Sequence, residues 1–230
     1  MLDIGCGAGG LAFALDDDRP GGRIIGLDIS PSLVAVARER DAGRPAVSFE
    51  IGDAADWRPQ DGFRPDLLVS RHGVMFFDRP VEAFVHLRDL AAPEGGLLFS
   101  CFRPWRENPV FRDIAALLPG DPAEPDPDQP GPFAFGDVEK VMAILSDAGW
   151  RDVRAEPFDF DMVLGEGEDA VDQALDYFTR IGVASRAARA LDDAARQSLI
   201  GRIRDYARGQ LRDGVVRLPA AVWIFTASRS

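Results

Sequence analysis

The sequence predicts an α/β fold. The core is a doubly wound sheet, mostly parallel, with an antiparallel last strand and helical insertions after the fifth and sixth strands. Three observations predict it. Short apolar runs alternate with helical patterns along the first half of the chain, the signature of strand–helix–strand units. A glycine-rich loop joins the first apolar run to the first helix. Acids stand at the ends of the first three strand patterns, Asp3, Asp28 and Asp53, and open α/β sheets bind ligands beyond the carboxyl ends of their strands.

Leu2-Asp3-Ile4 reads as the end of a buried strand. Gly5, Gly7, Gly9 and Gly10 then open into an apolar helical run over 11–15. The second strand, 23–28, ends in Asp28. Ser30 is placed as N-cap and Pro31 in the first turn of the next helix, with Leu33, Val34, Val36 and Ala37 as its apolar positions. A third strand, 47–51, runs into Gly52-Asp53-Ala54. The fourth is 66–70, and the helix after it starts near Asp78 and Pro80, with Val81, Phe84, Val85 and Leu87 at helical spacing. Pro93-Glu94-Gly95-Gly96 turns the chain into the fifth strand, 97–102.

Beyond this point the pattern loosens. Trp105 sits in a proline-flanked loop, and a short helix is expected over 110–118. Residues 119–132 hold six prolines and exclude regular structure. They read either as an acidic surface loop or as a lid. Asp137 caps a helix carrying Val138, Val141, Met142 and Leu145, which Gly149 ends. A sixth strand spans about 152–164, a helical segment about 168–213, and a last strand 215–227 pairs with the sixth. The chain is read as a single domain, 1–230, with 103–136 and 164–214 as insertions.

The glycine loop is the most informative segment. Without β-carbons, it lets a ligand approach the backbone, and the helix behind it offers free N–H groups and a positive dipole end. Gly5, Gly7 and Gly10 fit the dinucleotide pattern G-x-G-x-x-G. Gly5, Gly7 and Gly9 with Asp3 fit D-x-G-x-G-x-G instead. Asp3 separates the two, because a carboxylate repels a pyrophosphate at close range and attracts an ammonium or sulfonium. A third account turns Asp3 to solvent or makes it a cap of the loop. Asp28 follows Gly5 at about the spacing at which an acid meets ribose hydroxyls.

The runs LDIGCGAGG (2–10), GLDIS (26–30), GDAADW (52–57) and DLLVSRHGVMFFDRPVEAF (66–84) resemble a class I S-adenosylmethionine-dependent methyltransferase of the ubiquinone/menaquinone-type group, a Rossmann-like fold. The resemblance covers residues 1 to about 102. It implies that Asp3 and the loop of Gly5, Cys6, Gly7 and Gly9 hold the methionine part of S-adenosylmethionine. It assigns Asp28 to the ribose hydroxyls and Asp53 and Ala54 to the adenine, with Ile29 a further cofactor-binding residue. Arg71, His72 and Gly73 would line the cofactor or the acceptor, and the segments after the fifth and sixth strands would shape the acceptor site. The family carries further residues ahead of this loop, including a helix over the cofactor. Met1 stands only two residues before Asp3, so a less covered cofactor site is expected.

His72 has the ordinary pKa range of a general base, but a plain wall residue is the favoured reading. His86 is placed on the outer face of its helix. Met75, Phe76 and Trp105 are candidate acceptor-binding residues, although at least two of Met75, Phe76 and Phe77 are expected in the core. No catalytic residue is assigned, because methyl transfer from a sulfonium needs alignment more than a base.

The net charge of -12 disfavours nucleic acid as acceptor. Arginines cluster at 186, 189, 196, 202, 204, 208 and 212, but interleaved acids make this a solvated helix face. No apolar run reaches membrane-span length. Two cysteines, Cys6 and Cys101, give no disulfide framework, and with two histidines no metal site is expected. The expected protein is a cytoplasmic enzyme acting on a small molecule, with a homo-oligomer open. A non-catalytic S-adenosylmethionine-binding or partner-binding module is the alternative. A NAD-dependent oxidoreductase ranks third, since no Tyr-x-x-x-Lys pair accompanies the loop.

Overall fold

A computed structural model describes residues 1–41, 43–120, 124–180, 184, 188–189 and 191–230. Arg186 of the arginine cluster and positions 121–123 of the proline-rich segment lie outside the described residues. The elements in chain order are β1 (Leu2–Ile4), α1 (Gly10–Asp18), β2 (Ile24–Asp28), α2 (Pro31–Arg40), β3 (Val47–Ile51), β4 (Leu67–Arg71), α3 (Pro80–Leu90) and β5 (Gly96–Phe102). They continue with α4 (Pro109–Ala115), α5 (Val138–Asp147), β6 (Arg151–Glu166), α6 (Ala170–Arg180), α7 (Asp193–Gln210), β7 (Leu211–Arg212) and β8 (Val215–Ser228).

The strands form one sheet in the order β3-β2-β1-β4-β5-β8-β6. The pairings β1–β2, β1–β4, β2–β3 and β4–β5 are parallel. The last strand, β8, lies between β5 and β6. It also pairs antiparallel with β7, a short strand that the sequence reading passes over. Asp213 and Gly214 join the two, with φ of 50° and 76°. Two positive φ values make the tight turn that suits a hairpin, and Asp-Gly is its usual sequence. The signal was therefore present in the chain.

By contact the chain divides into two compact units: 1–102 with 126–157 and 223–230, and 103–125 with 158–222. The first holds the glycine loop. β1 and β2 are buried along almost their whole length, as parallel strands covered on both faces must be. Phe84, Phe99, Phe135 and Phe225 are fully buried, and the Phe99 and Phe225 rings stack at 5.0 Å. Trp150 is 3% exposed and satisfies its indole N–H on the Phe84 carbonyl, 3.0 Å away.

Two helix caps form as expected. Ser30 Oγ accepts from the Leu33 amide, and Asp137 Oδ1 from the Glu139 amide. The apolar face of α2 is narrower than expected: Val34 and Ala37 are buried, while Leu33 and Val36 are exposed. His86 also departs from expectation. It is half-buried, and its Nε2 lies 2.7 Å from the Trp57 carbonyl, so it ties α3 to the segment after β3 rather than facing solvent.

In the second unit, Val110, Ile114, Leu175, Phe178, Leu199 and Ile203 share one apolar cluster. Tyr206 donates to Asp113 Oδ2 at 2.9 Å. A cavity of about 670 Å³ in this unit is lined by Arg103, Asp159, Phe160 and Asp161 among others. Arginines of α7 pair with acids, Arg196 with Asp193, Arg204 with Asp172 and Arg208 with Asp205.

Candidate cofactor site

The carboxyl ends of β1, β2 and β4 meet at the glycine loop. The Gly5 and Cys6 amides both donate to the Leu27 carbonyl, at 2.8 and 3.0 Å, so the loop leaves β1 folded against the end of β2. Gly7 N–H donates to Asp28 Oδ2 at 2.8 Å, and Ser30 N–H to Asp28 Oδ1 at 2.8 Å. Asp28 thus fixes the loop on one side and the start of α2 on the other. Each of its oxygens keeps a further lone pair for a hydroxyl.

Asp3 is 1% exposed, and neither carboxylate oxygen completes a hydrogen bond within the protein. Its pKa rises from 3.8 to about 7, chiefly through burial; the Ala12 backbone and Arg71 pull it down, and Asp28 adds to the rise. A buried polar atom without a partner is rare and calls for an explanation. A cationic ligand group in the loop supplies one. The positions of Asp3 and its neighbours exclude the account in which Asp3 turns to solvent.

Two close approaches shape the floor. A β-carbon on Gly5 would lie 2.8 Å from the Gly73 α-carbon, and one on Gly73 would lie 2.6 Å from the Ile4 carbonyl oxygen. The end of β1 and the turn after β4 therefore touch through backbone. Ser70 holds this contact. It is 2% exposed, donates from Oγ to the Ile4 carbonyl at 2.8 Å, and accepts from Gly73 N–H at 3.1 Å. The sequence reading missed Ser70; a lone hydroxyl at the end of an apolar strand was its only signal. At Gly7, by contrast, a β-carbon would meet nothing within 4 Å, so the loop is open there.

Arg71 ends β4, with its guanidinium 3.4 Å from where a β-carbon on Gly10 would stand. The next residue, His72, has φ 63° and stacks flat on Phe102, ring centroids 4.3 Å apart and planes 3° from parallel. Its Nδ1 is buried without a partner. Burial first, then Arg71, lowers its pKa to about 4, so the ring is neutral at physiological pH.

Around the rim, Ile29 is 70% exposed beside Asp28, and Ala54 is buried. Asp53 Oδ1 accepts from the Ala55 amide at 2.9 Å. Cys6 is a buried free thiol with its pKa pushed up to about 12, chiefly by burial, so it packs rather than reacts. Met75 is in the core at 1% exposure, Phe76 is 53% exposed, and Phe77 meets Phe84 edge-on. Trp105 is half-buried and belongs to the second unit. Among the described residues no three His, Cys, Asp or Glu side chains could hold a metal ion, and no helix is long and apolar enough to cross a membrane.

A mostly parallel sheet with a glycine loop, an unpaired buried acid at its first strand end and a second acid at the next defines a cofactor-binding α/β protein. Comparison with known proteins narrows the class. The methyltransferase domain family matches residues 1–129, and the chain belongs to it. A trans-aconitate 2-methyltransferase from Variovorax paradoxus is 33% identical over 150 residues, covering 65% of this chain and 52% of that protein. The chain spans about half the length of the curated relatives it matches. Among solved structures, phosphoethanolamine N-methyltransferase 2 of Haemonchus contortus, in complex with S-adenosyl-L-methionine, aligns with a TM-score of 0.55 and 19% identity, over 99% of this chain and 48% of that one. A second complex of the same enzyme, with phosphomonomethylethanolamine and S-adenosylhomocysteine, gives 0.56 and 19% over the same shares. At these identities the likeness is one of fold.

Proposed function

We propose that this chain binds S-adenosylmethionine at the glycine loop and transfers its methyl group to a small-molecule acceptor. The observation that carries the reading is Asp3, a buried carboxylate with no partner where the loop begins. An ammonium satisfies it; a pyrophosphate is repelled. The reading gives the loop of Gly5, Cys6, Gly7 and Gly9 to the methionine part, with Arg71 toward its carboxylate. Asp28 takes the ribose hydroxyls, and Ile29, Asp53 and Ala54 the adenine. When bound, the cofactor supplies a methyl group already activated on a positive sulfur. The residues of the chain then have to orient the acceptor and exclude water.

On the acceptor side, His72 and the exposed Phe76 are the proposed walls in the first unit, with Met75 supporting them from the core. Trp105 is proposed for the acceptor on its place in the sequence after β5 alone. His72, neutral and stacked, suits a wall better than a base poised near neutrality. The ubiquinone/menaquinone-type grouping belongs to this proposal and rests on motif likeness. The curated relatives are named for trans-aconitate, so the acceptor panel must hold quinols and small carboxylic acids together.

Calorimetric titration tests the cofactor. S-adenosylhomocysteine binds, NAD does not, and Asp28→Ala weakens binding by at least ten-fold, about 1.5–3 kcal/mol for each charge-assisted bond lost. Tighter binding of NAD than of S-adenosylhomocysteine overturns the reading of Asp3. Transfer of labelled methyl to phenols, quinols, small amines and trans-aconitate, beside tRNA and peptides, tests the acceptor. Label confined to tRNA or peptide rejects the small-molecule reading.

A further inference from the structure

The glycine loop has an anchor outside the cofactor residues. The Ala8 carbonyl, at the outer turn of the loop, accepts from Arg40 Nη1 at 2.7 Å. Arg40 is the last residue of α2, and its guanidinium also lies over the Phe13 ring of α1, 5.4 Å from the centroid. Phe13 meets Phe49 of β3 edge-on at 5.5 Å. The Phe49 carbonyl is held in turn by Arg38, from Nε at 3.1 Å and Nη2 at 2.7 Å. Gly9 lies against both rings: a β-carbon there would come within 2.7 Å of Phe49 and 2.8 Å of Phe13. Three elements thus converge on residues 8 and 9.

The loop needs such a hold. Gly5, Gly7 and Gly9 carry φ of 67°, 55° and 83°, and glycines in this region give the backbone its widest freedom. The inner half of the loop is fixed by Leu27 and Asp28. The outer half is fixed at Ala8.

We propose that Arg40 is a positioning residue for the cofactor. It latches the loop through the Ala8 carbonyl in the shape that leaves Asp3 and the Gly7 region open to ligand. The proposal rests on the cofactor reading above. Arginine suits the task because its guanidinium spreads its charge and its donors over a fork, so one group lies over Phe13 while another N–H reaches the Ala8 carbonyl. Arg44 is a control within the same cluster. Its guanidinium also lies over the Phe13 ring, 5.3 Å from the centroid, but its hydrogen bonds go to Asp16 and Asp17, at 3.1 and 2.6 Å.

The test compares R40Q, R40K and R44Q by calorimetry with S-adenosylhomocysteine, by melting of the free protein, and by amide exchange at Gly9, whose N–H bonds the Cys6 carbonyl at 3.0 Å. R40Q is expected to bind about three- to ten-fold more weakly, the loss of one hydrogen bond. R40K recovers part of the loss, R44Q binds as wild type, and Gly9 exchanges faster in R40Q alone. Wild-type affinity and exchange in R40Q overturn the proposal. So does an equal loss in R44Q, which makes the effect a general loosening of the Phe13 cluster. If the wild-type protein binds no S-adenosylhomocysteine, the cofactor reading fails, and exchange at Gly9 alone decides whether Arg40 holds the loop.

Discussion

Once ionised, Asp3 destabilises the protein that carries it. Its pKa, raised by burial to about 7, means that the folded state holds a proton which the unfolded state releases near 3.8. The sign follows from linkage. This group favours folding fully below pH 3.8, and the contribution is lost as pH rises through 7. Fully ionised, it costs on the order of 4 kcal/mol. Asp3→Asn should therefore raise the melting temperature of the free protein at pH 8, with a gain that shrinks towards pH 4, and should weaken cofactor binding most at pH 8, where the carboxylate is ionised. Melting curves that show no pH-dependent gain would mean that the carboxylate is not held charged in the interior. A stabilising change that removes binding is the pattern of a group kept for a ligand.

At the scale of the elements, one hydroxyl ties the end of β1 to the turn after β4. Ser70→Ala leaves the Ile4 carbonyl and the Gly73 amide without their partner, at a cost of about 1–3 kcal/mol. Chemical denaturation should show that loss with no change in the slope against denaturant, and Ser70→Cys should restore little of it. The sequence made the elements around this contact legible. Strand ends marked by Asp3, Asp28 and Asp53, the Ser30 and Asp137 caps and the glycine loop are all local signals. Ser70, Arg40 and His86 were not legible, because their partners lie 66, 32 and 29 residues away. Leu33 and Val36 misled for a related reason: periodicity marks apolar residues, but only neighbouring elements decide which of them are covered.

For the whole molecule the dominant long-range quantity is charge. With -12 formal charges and a pI near 4.6, an anionic acceptor approaches against repulsion, whatever cation receives it locally. Salt screens such fields, the Debye length falling from about 30 Å at 0.01 M to about 8 Å at 0.15 M. Raising salt over that range should increase kcat/KM for a carboxylate acceptor and leave it flat for a neutral phenol. A salt-independent rate with a carboxylate would place the acceptor's approach outside the protein's general field.

The contact between Gly5 and Gly73 has a consequence for the history open to this chain. No side chain fits at either position, since a β-carbon on one meets the backbone of the other. The two positions, far apart in the chain, are constrained by one and the same contact. A change at one cannot be compensated by a change at the other, because both are already as small as an amino acid can be. Drift can rework the loops on either side, but the point where they cross is closed to it.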